Sequence, residues 1–413
     1  MPSLRKWAVV VGCVLACVFL VAVRHKADRS FFIDSKAYFA AARVFLHGQN
    51  PYDGPAVVQE SLALDPAGFP AGTQNERYIN LPAALLPEIA VSFVPWRLFT
   101  TLCILITGLC LPLIVILAAE LFGLKLTPAR LVAGSVVLAA FPPVWRGVMT
   151  GQSAVILVAI SLGLCLAVSR GRRGVTAGLA FLALMKATCC VPLIGYLFFK
   201  AHRRERVAIV TGCAAFALAS VVMAVIIGPH AALDGFRQSQ AAMFNPGGAN
   251  DPYVYPARYA RVDLAPMLTL AVDAHHIGLA NALAGALLLL PAIWLLTIRR
   301  SRSIEPAEIC VWLTASLLVF YHRPYDVVFA VPILALGMRD LRDGRRLHTA
   351  ARLGAVALSY TVLGDHSIMS VVHFDAPWIR PAITIILYLS CVIPALVAIE
   401  RPVATDVKAT AVV

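Results

Sequence analysis

The chain has 413 residues, 60% of them hydrophobic and 14% charged, where soluble domains run near about 45–50% and about 25%. With a mean hydropathy of +0.80, that balance excludes a soluble enzyme. The formal charge of +13 does not point to nucleic acid, because Lys and Arg stand in short clusters between apolar runs and build no basic face of useful length.

Apolar runs of about 15–25 residues recur from end to end, the pattern of an all-α polytopic membrane protein. They are expected to form one integral-membrane domain over residues 1–413. The ten cysteines lie in or beside these runs without a CxxC pair. They behave as small hydrophobes, and neither a metal site nor a cofactor is expected.

MPSLRK precedes an apolar run from Trp7 to Val23 that has no A-x-A-like cleavage site before Arg24, so the run is expected to stay as a first helix. Residues 24–80, too hydrophilic to span, form a first extracytoplasmic loop. Within it Ser35–Gly48 places Tyr38, Ala41, Ala42, Phe45 and Leu46 on one helical stripe, which predicts an amphipathic helix lying at the membrane surface. Leu81–Trp96 is apolar but carries Pro82, Pro87 and Pro95 and is too short to cross, so a half-inserted segment is predicted.

Long apolar runs then follow from Leu98 to Ile399. Between RGRRG at Arg170–Gly174 and KAHRRER at Lys200–Arg206, the stretch Val175–Phe199 is interrupted near Lys186. It forms either two short helices that go out and back, with Lys186 near the outer turn, or one tilted helix; the positive-inside rule favours the hairpin. That choice puts residues 124–130, 170–174, 200–206, 299–303 and 339–346 inside. Outside fall the first loop, the Thr150-Gly151-Gln152 turn, the Lys186 turn, a second extracytoplasmic loop at residues 229–276, and residues 321–326 and 370–378. About 11–13 membrane helices are expected, short or re-entrant ones included.

The polar residues able to carry chemistry gather on the outer side. Asp34, flanked by Phe31, Phe32 and Ile33, is a candidate general base because partial desolvation raises a carboxyl pKa; a helix N-cap is the alternative. His322-Arg323-Pro324-Tyr325-Asp326 suits a phosphate in the headgroup layer, or is a snorkelling loop. Lys186 needs either a polar cavity or a path to the headgroups. Glu88 can face the site, while Glu120 stands near a helix end and reaches the cytoplasmic interface. The second loop mixes Asn250, Tyr253, Tyr255, Arg258, Tyr259 and Arg261, a composition shared by carbohydrate sites and interfacial aromatic belts. His275-His276 is no metal site by itself.

Asp34 shortly after the first helix, the pattern from Tyr38 through Gly48 to Pro51-Tyr52-Asp53, then Gly151-Gln152, Lys186, and His322 with Tyr325-Asp326 ahead of Pro332 together resemble glycosyltransferase family 87. The resemblance implies a GT-C-like bundle and a polyprenyl-phosphate-linked sugar donor, often mannose. It implies transfer to a lipid or glycan hydroxyl on the extracytoplasmic side of a bacterial inner or plasma membrane, with Asp34 inheriting the base by position. On that scheme the reaction inverts configuration without metal, and His322, Arg323, Lys186, Arg258 and Arg261 are candidates for the donor phosphate. Tyr38, Tyr52, Asp53, Gln152, Tyr325 and Asp326 are candidates for substrate binding. The rival is a transporter or flippase of a lipid-linked sugar with Lys186 and Glu88 along its path, and a third reading is a non-catalytic assembly subunit.

Overall fold

A computed structural model describes residues 2–25, 32–64, 78–245, 247–248, 250–254, 261–298, 303–320, 322–363, 376 and 378–397. Among them there is no strand, as the bilayer requires: a spanning chain must bond its own amides, and helices do so within one segment. Helices α1 (Pro2–His25), α2 (Ile33–Leu46) and α3 (Gly54–Leu64) come first. A 3-10 turn at Pro82–Leu85 then runs into α4 (Leu86–Val91) and, after a tight turn, into α5 (Trp96–Leu121). Next are α6 (Pro128–Ala139), α7 (Pro142–Thr150), α8 (Ala154–Ser169), α9 (Arg173–Ala183), α10 (Ala187–Lys200), α11 (Arg203–Ile227) and α12 (Pro229–Phe244). The last five are α13 (Ile277–Ile298), α14 (Pro306–Val319), α15 (Pro332–Arg342), α16 (Arg346–Val362) and α17 (Ile379–Val397).

Among the described residues six stretches are long and apolar enough to cross a membrane, or seven if α6 and α7, bent by 64° at their junction, count as one broken span. The bend falls at Phe141-Pro142-Pro143, where two successive residues lack an N–H and cannot continue the ladder of α6. Gly12 of α1 packs on Leu109 of α5 while Ala16 packs on Gly108, so the two helices run antiparallel. A Cβ at Gly108 would stand 2.7 Å from Ala16 Cβ and from the Gly12 carbonyl oxygen; only small residues let the backbones come this close.

By length and composition Arg173–Lys200 is one of the six stretches, yet its contacts fold it as a hairpin. Gly171, just before α9, lies against the carboxylate of Glu205 at the start of α11. Further along, Gly212 of α11 meets Ala177 of α9, and Phe216 meets Phe181. Helices α9 and α11 therefore run the same way, and α10 between them must return. Cys190 of α10 reaches Ser161 in the middle of α8, at the depth a returning arm requires. Lys186, with φ −131° and ψ 76° at the cap of α10, sits at the reversal.

The arginine-rich loops consequently meet on one face. Arg170 pairs with Glu120, and Arg342 Nη1 donates to the Gly123 carbonyl at 2.7 Å. Just within that face Lys200 Nζ pairs with Glu308 at 3.0 Å, both nearly without exposure, and Tyr196 donates to Glu308 at 2.8 Å. On the opposite face α12 covers the first loop: Gln240 Nε2 donates to the Ile79 carbonyl at 2.6 Å, and Asn50 Nδ2 to Ala231 at 3.0 Å.

One expectation is corrected. Helix α2 is not a surface helix with one apolar stripe, since Ser35, Lys36, Ala37, Phe39, Ala40, Ala41, Ala42 and Val44 are all buried, whereas Leu46, on the expected stripe, is exposed. Its alanines let α3, the 3-10 turn and α7 close around it, so the covering layer replaces the lipid as its apolar surroundings. The loop residues 299–302 and 370–375 lie outside the described residues.

The buried pair on the basic-loop side gives a stability test remote from the opposite face. Glu308→Ala removes the buried counter-charge of Lys200 and is expected to cost about 3–5 kcal/mol, read as a lower thermal unfolding midpoint in nanodiscs, with a smaller loss for Glu308→Gln.

Candidate active site

The face opposite the basic loops brings Asp34, Gln152, Lys186 and Asp326 into one cluster. Asp34 stands in the first turn of α2, whose N-cap residue Phe32 adopts a left-handed conformation with φ 57° and ψ 30°. Such a backbone costs about 1–3 kcal/mol for a residue other than glycine. The Phe32 amide donates to the Met149 carbonyl at 2.9 Å, and its ring meets Trp96 edge-on. Contacts on both sides hold the strained residue that aims Asp34.

Gln152 reaches Asp34 from the end of α7. Gly151 has φ +75°, and the amides of Gly151 and Gln152 donate back to the carbonyls of Val148 and Gly147 at 3.3 and 2.8 Å. This left-handed termination stops the helix and fixes the next residue. Ser35 Oγ donates to the Gly151 carbonyl, and Gln152 Nε2 donates to Asp34 Oδ2 at 2.5 Å. Burial raises the Asp34 pKa, while the Gln152 bond and the charges of Arg323 and Lys186 pull it back. A carboxyl so placed has a higher proton affinity than an exposed aspartate, as a general base needs.

Asp326 holds the cationic side. It sits in a 3-10 turn at Pro324–Ala330 capped by Arg323, whose amide donates to the Asp326 carboxylate at 3.3 Å. Lys186 pairs with the same carboxylate, and His322 Nδ1 lies 3.1 Å from it. Burial opposes ionisation of Asp326, but Lys186 and His322 outweigh it and hold the carboxyl at about 2. Lys186 also lies over the Tyr325 ring, 5.0 Å from its centroid. Cys189 Sγ, His322 and Asp326 have ligand atoms within 4.8 Å of one another, a set able to hold a soft divalent ion. Lys186 on the same carboxylate opposes a second cation there.

A cavity of about 420 Å³ opens beside the cluster. Ser35, Tyr38, Asn80, Glu88, Gln152 and Lys186 supply its polar groups, and Phe99, Leu102, Ile106, Ile156, Ile160 and Leu182 are among its apolar walls. Concave, mostly apolar sites with a few convergent polar groups are the usual form of a binding pocket.

The sequence candidates divide accordingly. Asp34, Tyr38, Gln152 and Lys186 come together, with Asp326 and Tyr325 holding Lys186 from behind. His322 is fully buried beneath Asp326, and Arg323 donates to Asn250 Oδ1 at 2.6 Å. Arg261 is not available for a phosphate: it is buried and donates to Asp263 at 2.9 and 2.5 Å and to the Asn250 carbonyl at 2.7 Å. Neither Tyr52 nor Asp53 lines the cavity. Tyr52 is buried, with its hydroxyl donating to the Asn80 carbonyl at 2.8 Å, and the Asp53 carbonyl accepts from Val57 at the start of α3. Arg258 lies outside the described residues. Sequence reasoning missed Ser35 and Asn80. Adjacency to Asp34 was the only available signal for Ser35, and none marked Asn80, which enters from a loop.

Residues 78–321 match the family model of glycosyltransferase family 87, more than half of the chain. The chain belongs to glycosyltransferase family 87. No curated protein and no solved structure matches it. The family match contains Gln152 and Lys186; Asp34 and Asp326, which they contact, lie beyond its two ends. The tertiary structure therefore joins the matched region to both flanks at the cluster itself.

Gly151 offers a direct test of this geometry. A Cβ there would press on Ser35 and Phe32 in a backbone conformation that side chains resist. Gly151→Ala is expected to lower transferase activity about 100-fold by misplacing Gln152 and Asp34, while size-exclusion chromatography still shows folded protein.

Proposed function

We propose that this membrane glycosyltransferase moves a sugar, mannose by family resemblance, from a polyprenyl-phosphate donor to a hydroxyl of a lipid or glycan acceptor. The observation that carries the reading is Asp34, held by Gln152 beside a largely apolar cavity that also presents Lys186. An apolar slot suits an isoprenoid or acyl chain, and its polar end suits the head being transferred.

In the proposed step the acceptor oxygen attacks the anomeric carbon. Its proton passes to an Asp34 oxygen, a C–O bond forms to the acceptor, and the bond from the anomeric carbon to the phosphate oxygen breaks, its electron pair staying on the phosphate. A phosphate leaving group needs charge stabilisation more than protonation, and Lys186 and Arg323 are the cations whose charges bear on Asp34. Asp326, ionised throughout the working range, keeps Lys186 protonated and in place. His322 acts through Asp326 as a positioning residue. A single displacement inverts the anomeric configuration. Concentration of the arginine-rich loops on the far face supports an extracytoplasmic site in a bacterial inner or plasma membrane.

Protein in nanodiscs, given polyprenyl-phosphate-mannose and a panel of glycolipid acceptors, is expected to form product, and Asp34→Asn to lower turnover at least about 1,000-fold. Persistent product in that variant would remove Asp34 as the base. A donor that changes leaflet with its sugar–phosphate bond intact would instead identify a flippase.

The pH profile adds a second test. Asp34 works as the ionised base, so the rate rises with pH through its folded pKa, which lies above the ordinary aspartate value. Gln152 stabilises the charged form, and Gln152→Ala is expected to move that rising limb to higher pH. A limb that stays put or moves down would separate Gln152 from Asp34.

A further inference from the structure

Glu88 is a carboxyl on the cavity wall that the proposed reaction leaves unused. It comes from α4, the short helix after the Pro82–Leu85 turn, and lines the same cavity as Tyr38, Asn80 and Lys186. Its Oε2 atom is buried with no hydrogen-bond partner. The residue stands close enough to Tyr38, Tyr78 and Cys103 for its charge to bear on theirs, and Tyr38 in turn feels Asp34.

A buried carboxyl oxygen without a donor, on a residue that lines a cavity, is costly unless a ligand completes it. Burial pushes the Glu88 carboxyl up to about 7, so the protonated acid is well populated near neutral pH. A neutral acid in an apolar site donates a hydrogen bond and accepts another, which matches a hydroxyl and not a phosphate. An anionic donor head belongs with Lys186, whose cation a carboxyl wall cannot replace.

Resting on the transferase reading above, we propose that Glu88 is the acceptor-binding group: it holds a hydroxyl of an uncharged sugar-bearing amphiphile whose apolar chain lies along Phe99, Leu102 and Ile106. Tyr38 lies between this subsite and Asp34, so the acceptor hydroxyl that reacts is presented to the base from the Glu88 side. The substrate class is then a neutral glycolipid and not an anionic one.

The test separates acceptor binding from chemistry. Glu88→Leu is expected to raise the acceptor KM about tenfold, the loss of one buried hydrogen bond, with kcat and the donor KM within about twofold. Glu88→Gln, which still donates and accepts, is expected to restore the acceptor KM to within about threefold. An unchanged acceptor KM in Glu88→Leu, or a rise in the donor KM instead, overturns the proposal. Infrared difference spectra with octyl mannoside as probe give a readout that needs no turnover. The carbonyl stretch of a protonated carboxylic acid, absent in Glu88→Gln, is expected to shift when the probe binds to the wild-type protein. No such band, or a band that the probe leaves unmoved, overturns the proposal even if the wild-type protein transfers no sugar, an outcome that would by itself remove only the transferase reading.

Discussion

The bond from Gln152 to Asp34, 2.5 Å long, ties the start of α2 to the end of α7. Two left-handed backbones converge on it, Phe32 on one side and Gly151 on the other, stitched together by the Met149 and Gly151 carbonyls; of the two, only Phe32 is strained. A carboxylate in such surroundings costs free energy, because burial removes the water that would solvate it. The amide of Gln152 and the charges of Lys186 and Arg323 offset that cost without removing the raised proton affinity. The same desolvation that makes the site expensive raises the proton affinity of Asp34.

Lys186 is the complement. It sits where the α9–α10 stretch reverses, at the one point of that hairpin where the backbone leaves helical geometry. A cation there requires a counter-charge, and Asp326 provides it from a turn set by Arg323 and Pro324. Paired buried charges are weak sources of net stability but strict about geometry. Here that strictness fixes the position of a cation beside the cavity. Stability comes from elsewhere: from close backbone packing such as Gly12 with Gly108, and from helices that satisfy their own amides.

Much of the architecture was legible because the bilayer restricts what a sequence can do. Apolar runs of spanning length become helices, arginine clusters collect on one face, and Pro82, Pro87 and Pro95 keep Leu81–Trp96 from crossing. The placement of two basic loops also favoured the hairpin at Lys186 over one tilted helix, since in a hairpin both loops face the same way. The surface-helix reading of α2 failed for an equally physical reason. A stripe of alanines and aromatics suits a lipid surface and a protein layer alike, and periodicity does not tell which one covers it.

The candidate site shows the same division. Asp34, Gln152 and Lys186 carried local signals: a carboxylate among aromatic neighbours, a glycine that stops a helix, a cation within an apolar run. Arg261 and Tyr52 carried signals of the same strength and turned out to hold the outer layer together, because a short-range pattern does not reveal whether Asp263 or the Asn80 carbonyl will claim a donor first. The sequence by itself determined an all-helical membrane protein, through hydrophobic length and charge placement, and only its resemblance to glycosyltransferase family 87 pointed to a transferase. Which polar groups share a cavity, and which are spent on scaffolding, was decided only by tertiary packing, because hydrogen-bond partners far apart in the chain are chosen by where the helices come to rest.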